Sequence, residues 1–176
     1  MRTSKLNSQS AAARRAAEAQ LRALVAKCAP AHQRLTGALR RWLRKRLPAA
    51  HELVNEYSDC EFISDAPDER GYEGVLAVRA SANGVRLYIN RGKGLKDPEK
   101  LLPGAGKQAR WMTVEGMSTR ARPAVVDLSD EARARNRIPF ASIGRGPMVI
   151  RSEVTKPRRR RRPAQQCWQC RQCWLH

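Results

Sequence analysis

The stretch Val75-Leu76-Ala77-Val78-Arg79-Ala80-Ser81-Ala82-Asn83-Gly84-Val85-Arg86-Leu87-Tyr88-Ile89-Asn90 decides the fold. Two short apolar segments, Val75 to Ala80 and Val85 to Asn90, flank Asn83-Gly84. Asn-Gly between such segments signals a β-hairpin, because a type I′ turn needs positive φ at both central residues. Upstream, Leu53, Asn55 and Tyr57, then Cys60 and Phe62, alternate with a period of two, the pattern of half-buried strands. Ser64 to Gly71 contains Asp65, Pro67, Asp68, Glu69 and Gly71 and reads as an exposed turn. Downstream, Arg110, Met112 and Val114 alternate with Trp111 and Thr113 in a strand from Arg110 to Glu115. Met148 to Glu153 supplies a last strand after the turn Gly144-Arg145-Gly146-Pro147.

The segments outside these strands change period. From Ser10, Leu21, Leu24, Val25 and Cys28 recur at the spacing of one helix face, and Pro30 ends that helix. Leu35, Leu39, Trp42, Leu43 and Leu47 define a second helix from about Ala31 to Leu47, stopped by Pro48. Pro123 suits a first helical position, with Val125, Leu128 and Ala132 as the apolar stripe behind it. Helices at both ends of a run of strands predict an α+β fold. The sheet is expected to be antiparallel, of about five or six strands, packed with N-terminal helices and a shorter C-terminal helix. The expected organisation is a flexible N-terminus over 1–9, one domain over 10–155, and a disordered basic tail over 156–176.

Charge is the unusual property. The chain carries 35 Lys plus Arg against 16 Asp plus Glu, a formal net charge of +19. Such a chain attracts polyanions, with nucleic acid as a possible non-specific and strongly salt-dependent partner. Two places concentrate the charge. On the second helix, Arg40, Arg41, Arg44 and Lys45 gather opposite the leucines, as either a solvated face or a polyanion-facing one. In the tail, Arg158, Arg159, Arg160, Arg161 and Arg162 follow one another, with no acidic residue after Glu153. Like charges at that density repel and do not bury.

Five cysteines, unevenly spread, do not make the even framework of a secreted disulfide scaffold. Cys28 falls on the apolar face of its helix and Cys60 on a strand, and both read as core. Cys167, Cys170, Cys173 and His176 recur every third residue, with the two-residue spacers of thiolate metal sites. So tight a set would crowd one tetrahedral ion, and a redox-prone thiol cluster or a tail without a function stands beside the metal reading. No secretory leader and no apolar run near the ~20 residues of a membrane span is read, which predicts a cytoplasmic protein with no membrane partner.

Gly104, Gly106, Lys107 and Gln108 look like part of a phosphate-binding loop. A Walker A loop would need glycine where Leu101 stands and Ser or Thr where Gln108 stands. A dinucleotide fingerprint would follow a strand and open a helix, whereas these residues precede a strand. Two readings remain. In one, the Gly104 and Gly106 amides with Lys107 and Arg110 hold a small anionic ligand; in the other the segment is only a tight turn. Histidines number three, His32, His51 and His176, and offer no triad. Glu56, Asp59 and Glu61 read as a solvated strand face rather than an acid-base pair. No catalytic residue and no cofactor is nominated, so the chain leans away from being an enzyme.

The run Arg91-Gly92, Leu95, Asp97-Pro98, Leu101-Leu102, Gly104, Gly106-Lys107-Gln108 and Arg110 follows the pattern R-G-x-x-L-x-D-P-x-x-L-L-x-G-x-G-K-Q-x-R without a gap. In this the chain resembles the YdhG-like domains of unknown function, over most of Ala31 to Ser152. The resemblance implies a compact α+β domain, bacterial and cytoplasmic, with no established reaction or site residues. Some relatives carry an iron-chaperone label. This chain departs from a hard iron site, which wants clustered carboxylates, since it has few acids beyond Asp59, Glu61, Asp65, Asp68 and Glu69. It departs again at Trp111, where relatives often have His. The leading expectation is a non-catalytic small-anion or ligand-binding module using the Gly104 to Arg110 turn. The alternatives are a nucleic-acid-associated protein acting through Arg158 to Arg162, and iron or zinc handling.

Overall fold

A computed structural model describes residues 9–57, 60–103, 108–141 and 143–152. In chain order the elements are α1 (Ala11–Val25), α2 (Pro30–Arg46), β1 (His51–Glu56), β2 (Cys60–Ala66), β3 (Leu76–Ser81), β4 (Gly84–Ile89), β5 (Arg110–Thr113), a short 3-10 turn (Thr119–Ala121), α3 (Pro123–Ala134) and β6 (Met148–Ser152). The fold is α+β. One six-stranded sheet runs in the order β5-β4-β3-β2-β1-β6. It is antiparallel except at one edge, where β6 lies parallel to β1. The expected antiparallel sheet of five or six strands is thus present, with one parallel pair at its edge. The chain passes from β5 at one edge through α3 to β6 at the other, a long connection that, unlike a hairpin, lets β6 lie parallel to its neighbour β1.

The helices form where the sequence places their signals. The Ser10 side chain caps α1 by accepting from the Ala13 amide at 3.2 Å. Pro30 and Pro123 occupy first-turn positions of α2 and α3, where a missing N–H costs nothing. Ala17, Leu21, Leu24 and Val25 of α1, Leu35, Leu39 and Leu43 of α2, and Val125, Leu128 and Ala132 of α3 join one core. Val54, Ile63, Val78, Leu87 and Met112 meet them from five adjacent strands.

The hairpin forms, with a different turn. Ser81 pairs with Gly84, so the two-residue loop is Ala82-Asn83. Among the described residues only Arg91 and Lys100 are non-glycine residues at positive φ, so Asn83 is not, and Gly84 takes φ +125° instead. Packing explains the correction. In this register Leu76, Val78 and Ala80 each face an apolar partner, namely Ile89, Leu87 and Val85. A loop centred on Asn83-Gly84 would set Leu76 opposite Arg91.

The expected exposed turn is also corrected at its start. Ser64, Asp65 and Ala66 are buried residues of β2, and the turn begins after them. Glu61 and Glu56, expected on a solvated face, stand directly opposite each other on the helix-covered side, and Glu61 is only 2% exposed. Lys27 of the α1–α2 connection reaches both, at 2.9 and 3.9 Å. The tail over 156–176 and Asp59 lie outside the described residues.

Candidate functional site

Strand alternation sends the residues between the core positions to the opposite face of the sheet. There β2 carries Phe62, β3 carries Ala77 and Arg79, β4 carries Arg86 and Tyr88, and β5 carries Trp111. The registers place Phe62 beside Arg79, Arg79 beside Arg86, and Ala77 beside Tyr88 beside Trp111. Ala77 is fully buried and too small to separate its neighbours. Phe62 and Tyr88 therefore meet across β3 edge-to-face, with centroids 5.4 Å apart. Tyr88 and Trp111 follow at 6.5 Å, and the Arg86 guanidinium lies 4.1 Å over the Trp111 ring. All five of these larger side chains are half-exposed. The connection 67–74 folds over the far end of this face. Its Gly71 lies against Leu53, and the Glu69 carbonyl accepts a hydrogen bond from Arg151 of β6.

The helix-covered side holds a different kind of site. Arg40 and Arg44, expected on a cationic outer stripe, turn inward to Glu18 of α1 and Glu52 of β1. Arg40 Nε donates to Glu52 Oε1 at 2.5 Å and Arg40 Nη1 to Glu18 Oε2 at 3.2 Å. Arg44 Nη2 contacts Glu52 Oε2 and Glu18 Oε1, each at 2.5 Å. Arg41 and Lys45 are exposed, so two of the four expected surface cations face solvent. The leucine stripe of α2 is narrow, and the long arginine stems reach past it to carboxylates on neighbouring elements.

The paired guanidiniums act on both acids. Burial pushes Glu18 up, but the hydrogen bonds and charges of Arg44 and Arg40 outweigh it and bring its pKa to about 2. Glu52 is also held below its ordinary value: burial raises it, and Arg40 and Arg44 more than compensate. Asp65, directly opposite Glu52 on β2, receives no hydrogen bond from either arginine, and their charges only partly offset what raises it. Burial first, and then the Glu52 charge, push its carboxyl well above the ordinary range.

The motif from Arg91 to Arg110 is divided by the described residues. Gly104, Gly106 and Lys107 lie outside them, and Arg110 opens β5. The rest of the motif folds the connection between β4 and β5. Asp97 Oδ1 and Oδ2 accept from the amides of Leu101 and Leu102, each at 2.8 Å. Leu95, Leu101 and Leu102 pack against the core. A side chain at Gly92 would strike the Arg110 Cβ, 2.7 Å away, so Gly92 and Arg110 are kept as a close-packed pair.

Arg158, Arg159, Arg160, Arg161 and Arg162, with Cys167, Cys170, Cys173 and His176, also lie outside the described residues. Among the described residues, no three His, Cys, Asp or Glu side chains gather as a metal site, and no helix is long and apolar enough to cross a membrane. Sequence reading missed Phe62, Tyr88, Trp111, Arg79 and Arg86 as a set. The signal was present: once the strands are paired, the period-two positions outside the core bring three aromatics and two arginines onto one face. No protein-family model matches the chain, and no curated protein or solved structure matches it either.

Proposed function

We propose that this chain is a non-catalytic binding module for single-stranded nucleic acid, held on the sheet face opposite the helices. The observation that carries the reading is the contiguous row Phe62–Tyr88–Trp111, half-exposed and interleaved with Arg79 and Arg86. Bases have π-faces that stack on aromatic side chains, and guanidiniums both stack and meet phosphates. Neighbouring strands are about 4.8 Å apart, so the face from β2 to β5 spans about 14 Å, room for two or three nucleotides. The excess of positive charge, +19, supplies long-range attraction without sequence preference. The Arg158 to Arg162 run follows β6 in sequence and would add to that attraction. Kinship with YdhG-like domains belongs to the same proposal and assigns no ligand.

The test is fluorescence anisotropy of labelled oligo(dT) and oligo(U) with the full chain across a salt series, alongside a duplex of equal length. Stacked bases contribute about 1–3 kcal/mol each, so Trp111→Ala and Tyr88→Ala are each expected to weaken single-strand binding about 5- to 150-fold with the salt slope unchanged. Binding that persists at wild-type strength in both variants, and that collapses only with salt, would assign the contact to diffuse charge and sink the reading.

A further inference from the structure

Between α1, the C-terminal end of α2 and the turn before β6 lies a cleft of about 360 Å³. Arg14, Arg44, Lys45 and Arg145 line it, with Glu52 and Asp65 at its floor. One wall is fixed tightly. The Gly146 amide donates to the Pro48 carbonyl at 3.2 Å, and a Cβ at Gly146 would come within 1.8 Å of the Ala50 carbonyl oxygen. Arg14 Nη1 donates to the Gly146 carbonyl at 2.9 Å, while its buried Nε has no partner among the described residues.

The charges around the cleft do not balance. Glu52 is already committed to Arg40 and Arg44, and Glu18 to the same pair. That leaves Arg14, Lys45 and Arg145 with Asp65 as the remaining acid. Burial, and then the like charges of Arg145 and Arg44, make the Arg14 proton easier to lose, against the opposing pull of Glu52 and Glu18. Asp65 is 4% exposed, and among the described residues none donates a hydrogen bond to its carboxyl.

We propose that this cleft binds a tetrahedral oxyanion, a phosphate group free or carried on a small molecule, between the Arg14, Lys45 and Arg145 side chains and the Asp65 carboxyl. Burial and Glu52 favour the neutral form of Asp65. A neutral carboxyl donates a hydrogen bond to an anion where a carboxylate would repel it. The cleft lies at the small end of ligand sites, large enough for a phosphate and a short attached group. This site is independent of the open sheet face.

Calorimetric titration of the full chain with inorganic phosphate, and with phenyl phosphate, near ~150 mM salt reads the site against screening. Arg145→Ala is expected to weaken phosphate binding at least about tenfold, a loss of about 1.4 kcal/mol. Arg34→Ala removes an equal charge from an exposed position at the opposite end of α2 and is expected to change binding less than about twofold. Tighter phenyl phosphate identifies an ester ligand and equal affinity identifies free phosphate; either supports the site. Equal losses in the two variants, or none in either, overturn it.

Sulfate, whose charge is constant, supplies a second arm. The groups facing Asp65 are Glu52, Arg44 and Arg40, with Arg14, Lys45 and Arg145 around the cleft and Glu18 behind. Of these acids, Asp65 alone is held above its ordinary range near the anion. Sulfate affinity is therefore expected to fall as pH rises through the Asp65 titration, and to stay flat in Asp65→Asn. The same pH dependence in both proteins would remove Asp65 from the site.

Discussion

Replacing Glu18 with Gln tests whether the arginine pair of α2 is an internal clamp or surface charge. Glu18 binds both Arg40 and Arg44, its side chain is 22% exposed, and its pKa falls from 4.5 to about 2. One pKa unit corresponds to about 1.4 kcal/mol, so the shift corresponds to about 3 kcal/mol, reduced toward 2 by partial solvent screening. The folded-state pKa is depressed, so the contribution is complete above the unfolded pKa of 4.5 and is lost as pH falls through about 2. Urea unfolding of wild type and Glu18→Gln from pH 7 to pH 2 measures it directly. The expected difference is about 2 to 3 kcal/mol at neutral pH, shrinking by up to about 1.4 kcal/mol per pH unit below 4.5. Acid self-repulsion of so cationic a chain affects both proteins and cancels in the difference. A difference below about 0.5 kcal/mol at pH 7, or one that stays constant down to pH 3, would refute the clamp and return Arg40 and Arg44 to the solvated face.

Two further outcomes follow from the same region. Gly146→Ala forces a methyl onto the Ala50 carbonyl oxygen, so urea unfolding is expected to show a loss of about 1–3 kcal/mol, and wild-type stability would mean that the turn before β6 yields freely. Asp65→Asn should raise stability at neutral pH. A buried acid whose folded pKa is raised disfavours folding above its unfolded pKa, so the gain should vanish as pH falls below about 3.8, as followed by thermal unfolding across pH.

The fold was legible where a residue's neighbours in sequence determine its state. Pro30, Pro123 and the leucine spacings place the helices, and two-residue alternation places the strands. What escaped depends on partners remote in sequence. Asp65 looks like turn chemistry beside Pro67 and Asp68, yet it belongs to β2, paired with Glu52 on one side and Leu76 on the other, and is buried there. Arg40 and Arg44 look like surface charge because helical periodicity ranks residues by angle from the leucines and takes no account of the reach of an arginine stem. The turn at Ala82-Asn83 was decided by whole-strand pairing rather than by the local preference of Asn-Gly. Cationic residues could be counted from the sequence, but their distribution between internal clamp, cleft and open face could not.

That distribution makes the two proposed contacts separable. Alternation along β2 sends Phe62 to the open face and Ile63 and Asp65 to the helix side, so one strand contributes to both without mixing their chemistry. The open face offers aromatic planes with guanidiniums, suited to a flexible polyanion whose bases can be splayed onto it. The cleft offers a confined cationic rim over a buried carboxyl, suited to a compact anion that sheds its water. Trp111 belongs to β5, at one edge of the sheet, and Arg145 to the turn before β6, at the other. Removing either should leave the other function intact, since distant substitutions without shared partners act additively. Loss of both contacts from either single change would mean instead that the anions bind through the net charge of the chain, whatever face presents it.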